Sequence, residues 1–110
     1  MLFARVVVGL KVDGPFDYIV PREFEKKIMP GSRVWVQFGP RKTLAYVVEL
    51  ARKSSIKNLK KIVELVDESP VLDANMLKLT RRLSEYCCCS WGEAIETALP
   101  EALRRGKKIA

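Results

Sequence analysis

Histidine is absent from this chain of 110 residues. The absence excludes a histidine general base, a Ser-His or Cys-His nucleophilic pair and an HExxH zinc site. The six glycines form neither a GxxxxGK(S/T) phosphate loop nor a GxGxxG turn. An ATPase or a dinucleotide-dependent enzyme therefore cannot be built from this chain alone, and the sequence predicts neither a catalytic residue nor a cofactor.

Cysteine is scarce. The three cysteines are the consecutive residues Cys87, Cys88 and Cys89. A disulfide framework needs partners elsewhere in the chain, and a zinc ion needs ligands spaced on two elements, so neither is predicted. No apolar run approaches the ~18 residues of a membrane span. The first apolar stretch is interrupted by Arg5 and Lys11. The sequence thus predicts a soluble, cytoplasmic protein with no membrane partner.

Acidic residues are outnumbered, with 13 Asp and Glu against 20 Lys and Arg and a net charge of +7. Residues 41–61 carry +6 and the last ten residues +3, whereas the remainder of the chain sums to −2. Such a surplus favours a polyanionic partner such as nucleic acid. The charge pattern fits DNA and RNA equally well, and it also fits a basic loop that is merely solvated.

The hydrophobic pattern predicts an α+β fold. Alternating apolar and polar residues, many of them β-branched, predict five strands, at residues 3–10, 16–20, 33–38, 43–50 and 61–66. Strands followed by helices are typical of a small, mostly antiparallel sheet, here barrel-like and of about five strands, with the helices at the C-terminal end.

The pattern changes to a helical period after residue 70. Asp73 is suited to cap a first helix, whose inward face we expect to carry Leu72, Met76, Leu79 and Leu83. A capping-box sequence starting at Ser90 predicts a second helix up to residue 99. We expect one domain at 1–100, with a β-rich part at 1–70, a helical part at 71–100, and a basic tail or linker start at 101–110.

An acidic residue between two aromatics, Phe16-Asp17-Tyr18, interrupts the second predicted strand. In one interpretation the rings fill the core and Asp17 faces water. In the other, the carboxylate accepts a hydrogen bond from a hydroxyl or a base N–H while an aromatic ring stacks on the base. Because a carboxylate repels phosphates, the second interpretation fits the end of a DNA chain. Gly39 is either a turn glycine or a point of close approach to a ligand.

The chain resembles the N-terminal 3′-DNA-binding domain of primosomal protein N′ (PriA), the replication-restart helicase. The similarity covers nearly the whole length and is carried by Pro15-Phe16-Asp17-Tyr18 with Pro21, Pro30-Gly31-Ser32-Arg33-Val34, Phe38-Gly39, Tyr46-Val47-Val48, Leu59-Lys60, Val66-Asp67 with Pro70, Tyr86, Gly92-Glu93 and Ala98-Leu99-Pro100. It departs from the family at Ala45, where glycine is usual, and at the cysteine triplet with Ser90, where tyrosine and polar residues precede a proline.

The resemblance implies a module that captures the 3′-OH end of the nascent leading strand at a stalled or branched replication fork, whichever base is terminal. It implies that Asp17 makes the key contact with the terminal nucleotide. The pocket walls implied by the family are Phe16, Tyr18 and Gly39. Four residues of the basic segment are candidate DNA contacts, the first from the family and the others from charge: Lys60, Lys61, Arg41 and Lys42.

Family members join this module to further DNA-binding and ATPase domains. The expected partners are therefore DNA forks, 3′ ends and single strands, helicase domains of the same protein, and other primosome or single-strand-binding proteins. Two other functions stay open at this point. The strand start at residues 30–36 is also typical of RNA- or ribosome-binding small barrels, and the basic loop would also suit a protein-interaction domain.

Overall fold

The described part of the chain folds as a five-stranded sheet and two α-helices. In the computed structural model the strands are β1 Leu2–Val8, β2 Phe16–Val20, β3 Arg33–Phe38, β4 Arg41–Ala51 and β5 Glu64–Leu65, and the helices are α1 Ala74–Cys87 and α2 Trp91–Ala98. The structure describes residues 1–12, 14–54, 56, 59–67 and 69–100. This confirms the predicted α+β class, whereas the expected tail at 101–110 lies outside the described residues.

The sheet curls so that its two edges are joined by one segment. Its strand order is β2-β1-β4-β3-β5, and every neighbouring pair is antiparallel. The N–H of Ile19 in β2 donates to the carbonyl of Lys60 at 3.0 Å, and the N–H of Ile62 donates to the Ile19 carbonyl at 3.0 Å. The chain leading into β5 therefore contacts β2 at one end and β3 at the other, which gives the barrel-like shape. The predicted strand at 61–66 is regular only over Glu64–Leu65.

Two apolar clusters follow from the alternation of side chains along the strands. One cluster fills the inside of the curled sheet and includes Val6, Val8, Val34, Val36 and Val47. The other lies between the outer face of the sheet and the helices, and includes Val7, Leu44, Tyr46, Leu77 and Ile95. The sheet is thus buried on both faces over much of its area, and the edge of β2 that precedes Ile19 remains available for a site.

Both helices begin where the sequence predicts. The carboxylate of Asp73 accepts a hydrogen bond from the Met76 N–H at 2.8 Å, and Ser90 and Glu93 form a reciprocal capping box at the start of α2. Such caps satisfy backbone donors that have no partner within the helix. Among the described residues, no helix is long and apolar enough to cross a membrane.

The inward face of α1 differs from the prediction. Leu79 is 60% exposed and Leu83 is 37% exposed. The buried side chains of the helix are instead Leu77, Thr80 and Ser84. The reason is the contact with α2, because the indole N–H of Trp91 donates to the Thr80 hydroxyl at 3.1 Å. Thr80 and Ser84 therefore lie on the buried side of α1 with Leu77, and Leu79 and Leu83 lie on the exposed side.

A buried ion pair ties β3 to the chain after β5. The Nε of Arg33 donates to Oδ2 of Asp67 at 2.7 Å, and its Nη2 donates to Oδ1 at 2.6 Å. Arg33 is completely buried. The two parallel hydrogen bonds have the bidentate geometry that suits a planar guanidinium and a carboxylate. This pair fixes the segment that closes the barrel.

Candidate nucleic-acid interface

A hollow of about 340 Å³ lies beside the open edge of β2. Its lining, within the described part of the chain, consists of Pro15, Phe16, Asp17, Tyr18, Phe38, Gly39, Ile56, Leu59 and Lys60. These residues come from the start of β2, the β3–β4 turn and the segment before β5. The fold therefore brings together five of the residues singled out from the sequence: Phe16, Asp17, Tyr18, Gly39 and Lys60.

Aromatic rings form one wall of the hollow. Phe16 and Phe38 are half-buried and meet edge to face, with ring centroids 5.2 Å apart and an interplanar angle of 68°. Tyr18 is buried behind them, and its hydroxyl donates to the carbonyl of Gln37 at 2.9 Å. The Tyr18 hydroxyl is thus used to hold β2 to the end of β3, while the two phenylalanines present apolar surface to a ligand.

Burial raises the pKa of the Tyr18 phenol above its ordinary value of 10.0. The folded state favours the neutral phenol, so this stabilisation is complete below the pKa of the unfolded chain and is lost as pH rises through the higher pKa of the folded state. We expect Tyr18→Phe to lower the free energy of unfolding by about 0.5–1.5 kcal/mol at neutral pH, because one hydrogen bond is lost. Above about pH 10, we also expect the free energy of unfolding of Tyr18→Phe to decrease less steeply with pH than that of wild type.

Urea unfolding of wild type and Tyr18→Phe at neutral pH and at about pH 10.5 tests this expectation. Tyr86→Phe is the matched control, because Tyr86 is 88% exposed and its phenol is solvated in both states. An alkaline decline that is equally steep in wild type and Tyr18→Phe would contradict the assignment.

Asp17 belongs to a row of charged and polar side chains on the outer face of the sheet. The register places Arg5 of β1 opposite Asp17 and Glu49 of β4 opposite Arg5. The Arg5 Nε is 3.6 Å from Asp17 Oδ1, and its Nη1 donates to Glu49 Oε2 at 3.1 Å. The Ser54 hydroxyl donates to Asp17 Oδ2 at 2.7 Å. The Asp17 side chain is only 12% exposed, so a ligand can reach only a small part of the carboxylate.

The backbone of Asp17 also faces the open edge of β2. In an antiparallel pair, alternate residues direct both their N–H and C=O groups away from the partner strand. Ile19 does so, because it bonds to Lys60 and Ile62 rather than to β1. Asp17, two residues earlier, therefore presents its N–H and C=O at the same edge, and no described residue pairs with them there. The hollow thus offers a backbone donor and a backbone acceptor beside a carboxylate.

The basic residues predicted from the sequence do not all lie at the hollow. Lys60 is exposed and lines it, whereas Lys61 is exposed beside the bridge to Ile19. Arg41 and Lys42 lie at the start of β4, and the Lys42 ammonium is 5.3 Å from the centroid of the Trp35 ring. Of these four predicted cations, Lys60 is the one that lines the hollow.

Gly39 forms the rim of the hollow at the β3–β4 turn. Its φ of 62° lies in the left-handed region that favours glycine. The space where a Cβ would stand is open, with no described atom within 4 Å. Gly39 is therefore a turn glycine with an unobstructed backbone, and its approach to a ligand stays a prediction.

Besides the apolar Ile56, three residues at the site were not found by sequence reasoning. Arg5 interrupts an apolar strand, which is a signal of an outward position but not of its partner. Phe38 contributes to the resemblance, yet its alternation with polar neighbours indicated only a strand. Ser54 lies in a polar stretch without periodicity, so nothing local marks its bond to Asp17.

A family model for PriA, described as the 3′DNA-binding domain (3′BD), matches residues 5–100. The chain belongs to this family. The matched range begins within β1 and includes β2 to β5 and both helices, and it contains the hollow and its lining. Since the PriA 3′DNA-binding domain is a binding domain and not a catalytic one, the membership makes DNA the partner class.

Relatives with the same domain share about a third of their residues with this chain. The replication restart protein PriA of Bacillus subtilis (strain 168) is 35% identical over 109 residues, covering 94% of this chain and 14% of the relative. The replication restart protein PriA of Haemophilus influenzae is 30% identical over 109 residues, covering 97% of this chain and 15% of the relative. The chain therefore spans only a small part of the length of the relatives that it matches.

Proposed function

We propose that this domain binds the 3′-hydroxyl end of DNA at stalled or branched replication forks, whichever base is terminal, and thereby serves replication restart. The proposal is supported chiefly by one observation, the convergence of Asp17 with its open backbone edge, Phe16, Phe38 and Lys60 on a single hollow. The hollow is close to the lower end of the size range of small-ligand sites, about 300–1,000 Å³. It suits one terminal nucleotide rather than a length of duplex.

The carboxylate explains a preference for a hydroxyl end. An ionised carboxylate only accepts hydrogen bonds, and a free 3′-hydroxyl donates one. A 3′-phosphate carries no such donor when ionised and brings one to two negative charges toward Asp17. Like charges in a partly buried site repel more strongly than in bulk water. The same residue thereby attracts the free end of a strand and rejects a blocked end or a phosphate inside the chain.

The backbone edge explains why the terminal base need not be specified. The N–H and C=O of Asp17 supply one donor and one acceptor at the hollow. Each of the four bases has neighbouring donor and acceptor groups on its Watson–Crick edge, so each can bond to such a pair. The phenylalanine wall is equally tolerant, because every base has a π-face for stacking, worth about 1–3 kcal/mol.

Lys60 and the wider basic segment supply contacts with the phosphates. Lys60 lies at the hollow, and Lys61, Arg41 and Lys42 belong to the same basic stretch of the sequence, residues 41–61. Each phosphate that is neutralised releases counterions, which lowers the logarithm of affinity by about 0.7–0.9 per logarithmic unit of salt. These contacts give affinity for any strand, whereas Asp17 gives the preference for its end.

The relatives suggest the context in which the domain works. They are replication restart proteins several times longer than this chain. We propose that residues 1–100 form the 3′-end-binding unit and that the basic residues after 100 begin a connection to helicase domains of the same polypeptide. Catalysis would belong to those domains. Because replication restart takes place at forks, we expect primosome and single-strand-binding proteins as neighbours, in the nucleoid of a bacterial cytoplasm.

The decisive experiment is fluorescence anisotropy with one labelled single strand that ends in either a 3′-hydroxyl or a 3′-phosphate, at low and at moderate salt. We expect tighter binding of the hydroxyl end, by roughly tenfold to a hundredfold, because one hydrogen bond to a charged group is at stake. The preference should persist as salt weakens both complexes together. The same strand with each base in turn at its end should give similar affinities.

Other outcomes would support different functions. Equal, salt-sensitive binding of both ends would mean that the domain is a general basic nucleic-acid binder. Tighter binding of structured RNA than of any DNA end would favour an RNA-binding barrel. An absence of binding to both nucleic acids at low salt would favour a protein partner.

A further inference from the structure

We infer that Ser54 is a positioning residue, which orients the Asp17 carboxylate for the terminal nucleotide. The inference rests on the proposed function of Asp17 and adds a residue to it from outside the strand. Its basis is the 2.7 Å hydrogen bond from the Ser54 hydroxyl to Asp17 Oδ2. These residues are separated by 37 positions in the sequence, so the bond exists only because β2 and the end of β4 are brought together by the fold.

The direction of the Ser54 hydroxyl is fixed by a second bond. The backbone N–H of Ile56 donates to the Ser54 Oγ at 3.2 Å. The oxygen uses one lone pair to accept this bond, and its own hydrogen points at Asp17. The Asp17 carboxylate can only accept hydrogen bonds. Ile56 itself lines the hollow. Ser54 therefore connects two parts of the lining, the carboxylate on β2 and the apolar side chain that follows β4.

The second carboxylate oxygen is constrained from the opposite side. Arg5 places its Nε 3.6 Å from Asp17 Oδ1 while it donates to Glu49. Because Arg5 is shared between two carboxylates and is itself 39% exposed, it offers Asp17 a longer and less directional contact than Ser54 does. A short, charge-assisted O–H···O bond is the stronger restraint on rotation about the Asp17 side-chain bonds.

An oriented carboxylate favours end recognition in a specific way. Each carboxylate oxygen has about two acceptor positions, and the contacts with Ser54 and Arg5 leave one on each oxygen. A fixed rotamer holds these remaining positions in one orientation before the ligand arrives, so less entropy is lost on binding. Without Ser54 the carboxylate is free to turn toward Arg5 and water, and we expect the preference for a 3′-hydroxyl to weaken while binding through Lys60 continues.

The test compares Ser54→Ala, Ser54→Thr and the control Ser69→Ala, an exposed serine that follows β5. The readout is the ratio of dissociation constants for the 3′-phosphate and 3′-hydroxyl strands. We expect Ser54→Ala to reduce this ratio roughly threefold to tenfold, as for loss of one hydrogen bond. Ser54→Thr keeps the hydroxyl and should restore most of the ratio, and the control should leave it unchanged. Affinity for the phosphate-ended strand should change little in all three variants.

A double-mutant cycle separates positioning from a general structural effect. In an Asp17→Asn background, Ser54→Ala should change the ratio no further, because the group that it orients is already altered. A reduction of equal size in both backgrounds would overturn the inference, as would an unchanged ratio in Ser54→Ala itself. If the wild type showed no preference for either end, the proposed function would fail and the inference with it. A preference that depends on Asp17 but not on Ser54 would overturn only the inference.

Discussion

Asp17→Ala is expected to abolish the preference for a 3′-hydroxyl end while the domain remains folded. The substitution removes the acceptor that meets the terminal hydroxyl, and a hydrogen bond to a charged group is worth about 1.5–3 kcal/mol. That loss corresponds to roughly tenfold to a hundredfold in affinity for the hydroxyl end. Affinity for the phosphate end should rise, because a negative charge has been taken away from its path. The two dissociation constants should therefore converge.

The fold should tolerate this change because Asp17 lies in an edge strand and its side chain faces outward. Its partners are the half-exposed Arg5 and the Ser54 hydroxyl, both of which can be solvated when the carboxylate is absent. Anisotropy with the two strand ends measures the effect, and thermal unfolding verifies the fold. Retention of the wild-type ratio by a folded Asp17→Ala variant would disprove the assignment of the carboxylate.

Lys60→Ala is the informative control for that experiment. Lys60 lines the same hollow but carries the opposite charge. Its removal should weaken binding of both strand ends by a similar factor. The slope of log affinity against log salt should also become shallower by about 0.7–0.9, the value for one phosphate contact. Opposite responses, a change of ratio for Asp17 and a uniform loss for Lys60, would distinguish recognition of the chain end from electrostatic attraction to the strand.

The pocket residues could be predicted because the chemistry is concentrated in one short segment. Phe16, Asp17 and Tyr18 are adjacent, and a carboxylate between two rings after a turn is unusual enough to suggest a site. The alternation of a strand also predicts correctly that Phe16 and Tyr18 face away from Asp17. Gly39 and Lys60 were linked to that segment only through the family resemblance, since nothing in their local sequence says that the barrel brings them there.

The remaining features of the site depend on tertiary contacts. The bond from Ser54 to Asp17 requires the register of β1 with both β2 and β4. The open backbone edge of Asp17 follows from the pairing of Ile19 with the segment before β5. That segment is regular over only two residues, so its strand pattern predicted the element but not the short bridge that closes the sheet.

The error in the face of α1 has a different origin. Hydrophobic periodicity assumes that apolar residues face the core, and it placed Leu79 and Leu83 inward. Close packing of two short helices instead selected Thr80, whose hydroxyl donates to the Met76 carbonyl at 2.8 Å and accepts the indole N–H of Trp91. A polar residue satisfied by its own helix can be buried at little cost, and sequence periodicity does not detect such cases.

Asp67→Ala is expected to destabilise the domain by about 3–5 kcal/mol, the largest effect on folding among these predictions. The substitution leaves the Arg33 guanidinium, which is fully buried, without the carboxylate that accepts two of its hydrogen bonds. A domain of this size has a total stability of roughly 5–15 kcal/mol, so much of it would be lost. The closure of the barrel should loosen with it, because Asp67 follows directly on the β5 segment. Urea unfolding followed by tryptophan fluorescence measures the change.

Two further variants determine whether the cost arises from the loss of the Asp67 carboxylate as a partner of Arg33. Asp73→Ala removes a carboxylate that caps α1 and should cost only about 0.5–2 kcal/mol. The double substitution Arg33→Met with Asp67→Leu removes both charges and should recover most of the lost stability, since apolar residues of similar volume can replace a buried ion pair. If Asp67→Ala cost no more than Asp73→Ala, Arg33 would have to be stabilised by other contacts. The ion pair would then specify the path of the chain into the barrel without contributing much to the free energy of folding.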